Sequence, residues 1–523
     1  MPSRRIIGTA TATAVGLAVL GLSPVTANAA TTAAAAKTHA LSVHTATASK
    51  VSKLATGTTT DGITPSLTAT SAGALTFALN ATGSTDTEST IDSYTFTYGD
   101  GQTDTNTTGT IDHTYATPGT YTVTVTVTDE AGNSASVTDS VTTTGSDYTP
   151  YGPVRILDTR SGLGATEAPI AANGTLVLTV AGAAAIPDDI TAVTLNVTVT
   201  ASTANGAIIA YPDGESNPGT SNINYYTGKN IANAVTVPVI DGKVDFVNSS
   251  TGTTELIADV EGYYTQTSAD GYNAVDPGRI LDTRSGVGAP EAAVAAGGTL
   301  ALTVDGATLT EDTSSAGNTT EPLPDAGITA VTLTVTTTES SANGGITAYP
   351  DGESLPDTSN IDYYTGENIA NLVTVPVTDG KIDFYNSSSG TVELIGDVQG
   401  YYTAGSGAAY VPVAPTRLLD TRKITNGALA SGYGYQLNDL VTTGGVTAYM
   451  LNTTVTSGTA QGALIIHPAT ESDNHTSNLN WTAGANVAGL DLATAGSTGI
   501  DFYNDSSGTV ELIVDEFGYY ATT

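Results

Sequence analysis

Ala192-Val193-Thr194-Leu195-Asn196-Val197-Thr198-Val199-Thr200 alternates apolar and polar residues along its whole length. Successive side chains of an extended strand point to opposite faces, so this pattern predicts a half-buried β-strand with its valines and leucine turned inward. Downstream, Val235, Val237 and Val239 lead into Asp241-Gly242, after which Val244 and Phe246 resume the alternation. Asp-Gly at that place predicts a hairpin, because both central residues of the favoured turn need positive φ. Pro238 and Pro376 cannot donate to a ladder, which predicts that their strands sit at a sheet edge. No segment carries a helical stripe.

The block recurs. Arg155-Ile156-Leu157-Asp158-Thr159-Arg160 returns as Arg279 to Arg284 and as Arg417 to Arg422, each with a tyrosine seven residues upstream (Tyr148, Tyr272, Tyr410). Each copy ends in Gly-Tyr-Tyr, at Gly262 to Tyr264, Gly400 to Tyr402 and Gly518 to Tyr520. Over their last 60 positions copies one and two share 46 residues and copies one and three share 26, so the third copy is the stricter filter on what the repeat needs. The expected architecture is all-β: one sandwich or jelly-roll per copy, at 148–265, 272–403 and 410–523. Polar spacers, Thr265 to Gly271 and Thr403 to Ala409, predict a string of beads with limited play. Asp305 to Gly327 reads as an inserted surface loop.

Ahead of the repeats, Tyr94-Thr95-Phe96-Thr97-Tyr98-Gly99-Asp100-Gly101, His113-Thr114-Tyr115 and Pro118-Gly119-Thr120-Tyr121 followed by an alternating run to Asp129 resemble the PKD domain family over residues 61–145. Phe96 stands where that family usually has tryptophan. The resemblance implies an immunoglobulin-like sandwich, a spacer or interaction module of extracellular proteins. The repeats are similar to a domain of secreted actinobacterial proteins marked by R-x-L-D-T-R and D-x-x-G-Y-[YF]. That likeness implies compartment and organisation, not an activity.

The amino terminus supports the same compartment. Arg4 and Arg5, an apolar run from Ala14 to Leu22 and the Ala27-Asn28-Ala29 cleavage pattern predict a signal peptide over 1–29, followed by an Ala/Thr-rich flexible leader over 30–60. No stretch is long and apolar enough to span a membrane. The formal charge of −36 arises from 51 acidic against 15 basic residues, which argues against nucleic acid as a partner, since phosphate recognition needs Lys and Arg. Zero cysteine excludes disulfides, thiol catalysis and Cys-ligated zinc. No cofactor is expected. Loops rich in Asp, Asn and Gly leave calcium as a candidate structural ion, although EF-hand spacing is absent.

Two constellations are candidates for a task. Six of the eight arginines occur as one pair per R-x-L-D-T-R. A guanidinium binds carboxylates bidentately and keeps its charge when buried, which predicts ion pairs among Arg155, Asp158, Arg160 and Asp259, among Arg279, Asp282, Arg284 and Asp397, and among Arg417, Asp420, Arg422 and Asp515. These would latch the first strand of a copy to its last, or hold an acidic sugar. The second constellation comprises Tyr211, Asn222, Asn224 and Tyr225; Tyr349, Asn360, Asp362 and Tyr363; and His467, Asn478, Asn480 and Trp481. Aromatic faces beside amides and carboxylates suit glycan contact, although a core with satisfied loops is the more ordinary use of them. Copies one and two contain no histidine, so a Ser-His-Asp apparatus has no place there. Carboxylates such as Glu215 and Glu255 leave glycosidase chemistry as the weakest reading. The functional expectation is a secreted, non-catalytic surface, adhesive or spacer protein, engaging cell-wall or environmental glycans, or other surface proteins, through repeated weak sites. A specific lectin and a glycan hydrolase are the alternatives.

Overall fold

The structure, a computed structural model, describes residues 53–71, 76–115, 119–143, 145–310, 322–442, 445–469 and 476–522. The signal peptide and most of the leader lie outside the described residues, as do His39, His44 and His475. Among the described residues there is no α-helix, only two short 3-10 turns, Ala183–Ala185 and Thr421–Lys423. The chain is nearly all β.

The amino-terminal unit is a sandwich of two four-stranded sheets, one built on Ser66–Ser71, Thr76–Asn80 and Thr110–Thr114, the other on Ile91–Thr97, Gly119–Asp129 and Ser134–Thr143. Its sequence landmarks meet in space. His113 stacks on Tyr98 with ring centroids 3.5 Å apart, and Tyr115 stacks on Tyr121 at 3.9 Å. His113 Nε2 lies 2.8 Å from Asp100 Oδ2, and the Tyr115 hydroxyl donates to the Tyr98 carbonyl at 3.1 Å. Gly99 has φ of 87°, and a Cβ there would meet the Thr122 carbonyl at 2.7 Å, so the turn holding Asp100 requires glycine.

Each repeat is also a sandwich of two antiparallel layers of four strands, and the inner layers of repeats one and two join through their opening strands into one eight-stranded sheet. In the first, the inner sheet runs in the order Ile231–Pro238 (edge), Ile190–Thr200 (middle), Glu255–Thr265 (closing) and Asp147–Asp158 (opening). The outer sheet consists of Thr175–Thr179, Lys243–Ser250, Gly206–Pro212 and Ile223–Tyr225. The other two repeats reproduce this order strand for strand. Val193, Leu195, Val197 and Val199 pack with Phe246, Ile208 and Leu256 in the core between the sheets. Pro238 and Pro376 end the two edge strands. The Asp-Gly turn adopts the required positive φ at Asp241 and Gly242 (51° and 73°) and is closed by one antiparallel bridge, Ile240 to Lys243, but the pairing extends no further. The strand before it belongs to the inner sheet and the strand after it to the outer sheet, so the turn carries the chain across the sandwich.

The repeats are not beads on a string. Their inner sheets face one another around a common axis, and the supposed spacers take part in strand pairing. Tyr148 pairs with Asp270, Tyr272 with Ala408 and Tyr410 with Ser146, so the three opening strands join in a closed cycle of bridges. The alternation explains why this was hidden. The polar positions Thr194, Asn196 and Thr198 are as buried as the apolar ones, because they face the neighbouring repeats and not water. The Thr194 and Thr236 hydroxyls bond at 2.9 Å, and Asn196 Nδ2 donates to the Ser359 carbonyl of repeat two at 2.5 Å.

Candidate functional site at the repeat junctions

At the axis six tyrosines form a closed ring. The hydroxyls of Tyr264, Tyr402 and Tyr520, the last residue of each Gly-Tyr-Tyr, meet one another at 2.7, 2.6 and 3.4 Å. Tyr148, Tyr272 and Tyr410 from the opening strands pack between them, with centroids 4.2 Å (Tyr148 to Tyr402), 4.3 Å (Tyr272 to Tyr520) and 4.6 Å (Tyr264 to Tyr410) apart. Their own hydroxyls donate to the carbonyls of Glu261, Gln399 and Phe517 at 2.8–2.9 Å. All six are buried. The glycine of Gly-Tyr-Tyr makes room for the packing: a Cβ at Gly262 would lie 2.1 Å from the Tyr148 hydroxyl oxygen, and one at Gly400 would lie 2.3 Å from that of Tyr272. Sequence reasoning used these tyrosines only as markers. The signal was that a core otherwise built of valine and isoleucine keeps tyrosine at two fixed places per copy, and a buried hydroxyl needs a partner.

The R-x-L-D-T-R motif resolves residue by residue. Arg155 Nε donates to Asp259 Oδ1 at 2.8 Å and its Nη2 to Oδ2 at 3.3 Å, tying the opening strand to the closing strand. Arg279 grips Asp397 at 2.9 and 3.3 Å, and Arg417 grips Asp515 at 2.7 and 3.0 Å. Leu157, Leu281 and Leu419 enter the cores. The second arginine has a separate task. Arg160 forks onto Asp158, two residues back, at 2.9 and 2.7 Å, as Arg284 does onto Asp282 and Arg422 onto Asp420. The threonine bridges to the start of the closing strand: Thr159 Oγ1 donates to Glu255 and accepts from the Leu256 amide at 2.9 Å. Hydrogen bonding from Arg160 lowers the Asp158 carboxyl, and that from Arg422 holds Asp420 down at about 2. Burial pushes Asp259 up, with Arg155 pulling against it. The first arginine also faces a neighbour. Arg155 Nη1 lies 3.7 Å from Asp357 of repeat two, and Arg417 Nη2 donates to the Gly219 carbonyl of repeat one at 3.4 Å.

The aromatic residues of the second constellation are core residues, while Asn224, Asn480 and Trp481 also line the cavity where the three repeats meet. Tyr211, Tyr225, Tyr349, Tyr363, His467 and Trp481 are all buried, so no face is offered for stacking. The Tyr363 hydroxyl donates to Asn386 Oδ1 at 2.6 Å, Trp481 Nε1 donates to the Ala460 carbonyl at 2.9 Å, and His467 Nδ1 lies 2.9 Å from the Pro468 carbonyl. Asn222, Asn360 and Asn478 accept from the amides of Ala210, Ala348 and Ile466 at 2.7–2.8 Å, completing the bonding of their strands. Glycine pairs with each ring across the outer sheet, Gly206 with Tyr225, Gly344 with Tyr363 and Gly462 with Trp481, and leaves space for it. That glycine–aromatic spacing was readable in all three copies. Asn224, Asp362 and Asn480 are half-buried, and burial pushes Asp362 up to about 6. Among the described residues no group of three His, Cys, Asp or Glu is placed to hold a metal ion.

The junctions carry further polar contacts that sequence reasoning missed. Lys229 of repeat one bonds Glu367 of repeat two at 2.6 Å and sits 4.6 Å from the Tyr364 ring centroid. The Tyr364 hydroxyl accepts from the Asn230 amide at 2.6 Å, and the Tyr226 hydroxyl accepts from the Asn486 amide at 2.6 Å. Glu261 of repeat one is buried against repeat two, accepting from Asn360 Nδ2 at 2.8 Å and the Thr374 amide at 3.3 Å, and burial raises its carboxyl to about 8.

The amino-terminal unit, with its stacked His113 and its glycine turn at Asp100, has a relative among known families. Residues 63–145 match the PKD domain family. Among solved structures, the PKD1 domain of the Vibrio cholerae metalloprotease PrtV is similar, with 30% identity over 15% of this chain and 93% of that chain and a TM-score of 0.14. The PKD1 domain of Vibrio anguillarum Epp matches at 25% identity over 18% of this chain and 90% of that chain, with a TM-score of 0.13. A structure of carbohydrate-binding modules from the β-sandwich superfamily matches at 16% identity over 64% of this chain and 86% of that chain, with a TM-score of 0.14. No curated protein matches the chain. No helix of the described residues is long and apolar enough to cross a membrane.

Proposed function

We propose that the chain is a secreted, non-catalytic surface protein in which the PKD domain spaces a rigid three-repeat head, and that the head adheres to cell-wall or environmental glycans. The observation that carries this reading is the closed head. Three sandwiches share one buried tyrosine ring, and the first arginine of each motif ties the opening strand of its repeat to the closing strand. A body built this way presents fixed surface loops. It does not gain avidity from independently moving beads, because its copies cannot reorient separately. Secretion rests on the amino-terminal sequence pattern, and the lack of catalysis on the histidine-free first and second copies.

Pull-down of the mature chain on purified wall material and on a panel of polysaccharides tests the reading. Retention without release of reducing sugar is the expected result. Failure to be retained at high protein concentration would remove the adhesive role, and sugar release abolished by Glu215→Gln would replace it with hydrolysis.

A further inference from the structure

The three junctions are built to one plan, and one of them lacks a part. At the first, Tyr364 of repeat two reaches Asn230 of repeat one; at the second, Tyr226 of repeat one reaches Asn486 of repeat three. In both, the phenol hydroxyl accepts from the backbone amide at 2.6 Å and approaches the carbonyl of the same asparagine at 3.3–3.4 Å. The gapless alignment of the copies puts Asn368 of repeat two and Thr482 of repeat three at the corresponding places of the third junction. Threonine is shorter than tyrosine by a whole ring. Asn368 and Thr482 border two cavities, one of about 100 Å³ where the three repeats meet and an open polar groove of about 560 Å³ between repeats two and three, and Glu367 and Trp481 line both. Gln461 and Asp505 also line the groove.

We propose that this third junction is a saccharide-binding site, in which a sugar ring takes the place that tyrosine holds at the other two. The two filled junctions define the chemistry the place accepts: a six-membered ring bearing a hydroxyl that bonds both amide and carbonyl of one asparagine. A pyranose meets that requirement and brings additional hydroxyls. Glu367, Gln461 and Asp505 supply acceptors for those hydroxyls, and an amide donor comes from Gln461. The groove is open at one side, so a longer chain extends into solvent beyond the bound ring. This deepens the adhesive reading by naming a specific site for it, and the test separates the two.

Trp481 is the only tryptophan of the chain and lines the site, so its fluorescence reports occupancy. The full mature protein is titrated with glucose, galactose, mannose and N-acetylglucosamine, and separately with N-acetyltyrosinamide. At least one sugar should give a saturable change. Thr482→Tyr, which restores the missing ring, should weaken that response at least about tenfold while raising the melting temperature. Asp505→Ala should weaken it without filling the groove, which covers the case in which the tyrosine variant misfolds. An equal response in wild type and both variants overturns the site, as does a response to N-acetyltyrosinamide with none to any sugar. If Thr482→Tyr loses the sugar response but is still retained on polysaccharide, adhesion has a second locus and the site stands. If wild type is retained on polysaccharide yet no sugar perturbs Trp481, the site fails and the adhesive reading survives.

Discussion

Replacing Tyr520 by phenylalanine deletes one hydroxyl from the centre of the tyrosine ring and leaves the ring stacking in place. That hydroxyl bonds Tyr402 at 2.6 Å and Tyr264 at 2.7 Å, while the remaining pair stands 3.4 Å apart. Two buried hydrogen bonds are lost, and the Tyr264 and Tyr402 hydroxyls keep only the weak contact between them and that of Tyr264 with Thr194. At about 1 kcal/mol for each bond, the substitution should cost about 2 kcal/mol. Unfolding entropy near 2.1 cal/mol/K per residue, taken over a head of about 375 residues, converts this to a fall in melting temperature of about 2–3 °C. Scanning calorimetry should show the three repeats melting in one transition, displaced as a whole by Tyr520→Phe. A transition that splits, with only the part belonging to repeat three moving, would refute the shared core, because independent sandwiches would confine the damage to one copy.

The two arginines of each motif should separate sharply. Arg155→Ala strands the buried carboxylate of Asp259 and should cost about 3 kcal/mol in urea denaturation, whereas Arg160→Ala, which removes a half-exposed pair, should cost less than about 1 kcal/mol. Stability should also fall as the medium turns from acid to neutral. Burial raises Glu261 to about 8 and Asp491 and Glu516 to about 7, so the folded head holds these protons more tightly than the unfolded chain does. Their contribution is complete below the ordinary carboxylate range and is lost progressively up to about pH 8. The lowered acids Asp158 and Asp420 act in the opposite sense, but only below that window. Melting temperatures measured from pH 5 to pH 8 should therefore decline, and Glu261→Gln should flatten the decline; an identical slope in that variant would contradict the assignment.

Much of the sandwich was legible because Val and Leu at every second residue state plainly which face is dry. The edge position of Pro238 followed from its missing donor. The Asp-Gly turn was legible in conformation but not in consequence, since a positive-φ pair fixes the reversal of the chain and not the sheet it re-enters. The assembly of repeats was invisible for a related reason. Thr194, Asn196 and Thr198 look solvated in a sequence, yet small side chains that pair with one another suit a close interface between sheets. Tyr225 and Trp481 stood between two readings, because aromatic and amide residues look the same in sequence whether they line a cleft or satisfy a core. Only the glycine opposite each ring distinguishes the cases.

The cycle of bridges from Tyr148 to Asp270, Tyr272 to Ala408 and Tyr410 to Ser146 has a consequence for how such a gene can change. An open tandem array tolerates gain or loss of a unit, because each copy needs only its neighbours. Here the third copy returns to the start of the first, so the count is locked. Deleting a repeat would leave two inner faces bare, and a fourth copy would have no vacant edge to join. Divergence within the set is the remaining freedom, and the exchange of tyrosine for threonine at position 482 is the kind of change that such a closed set permits.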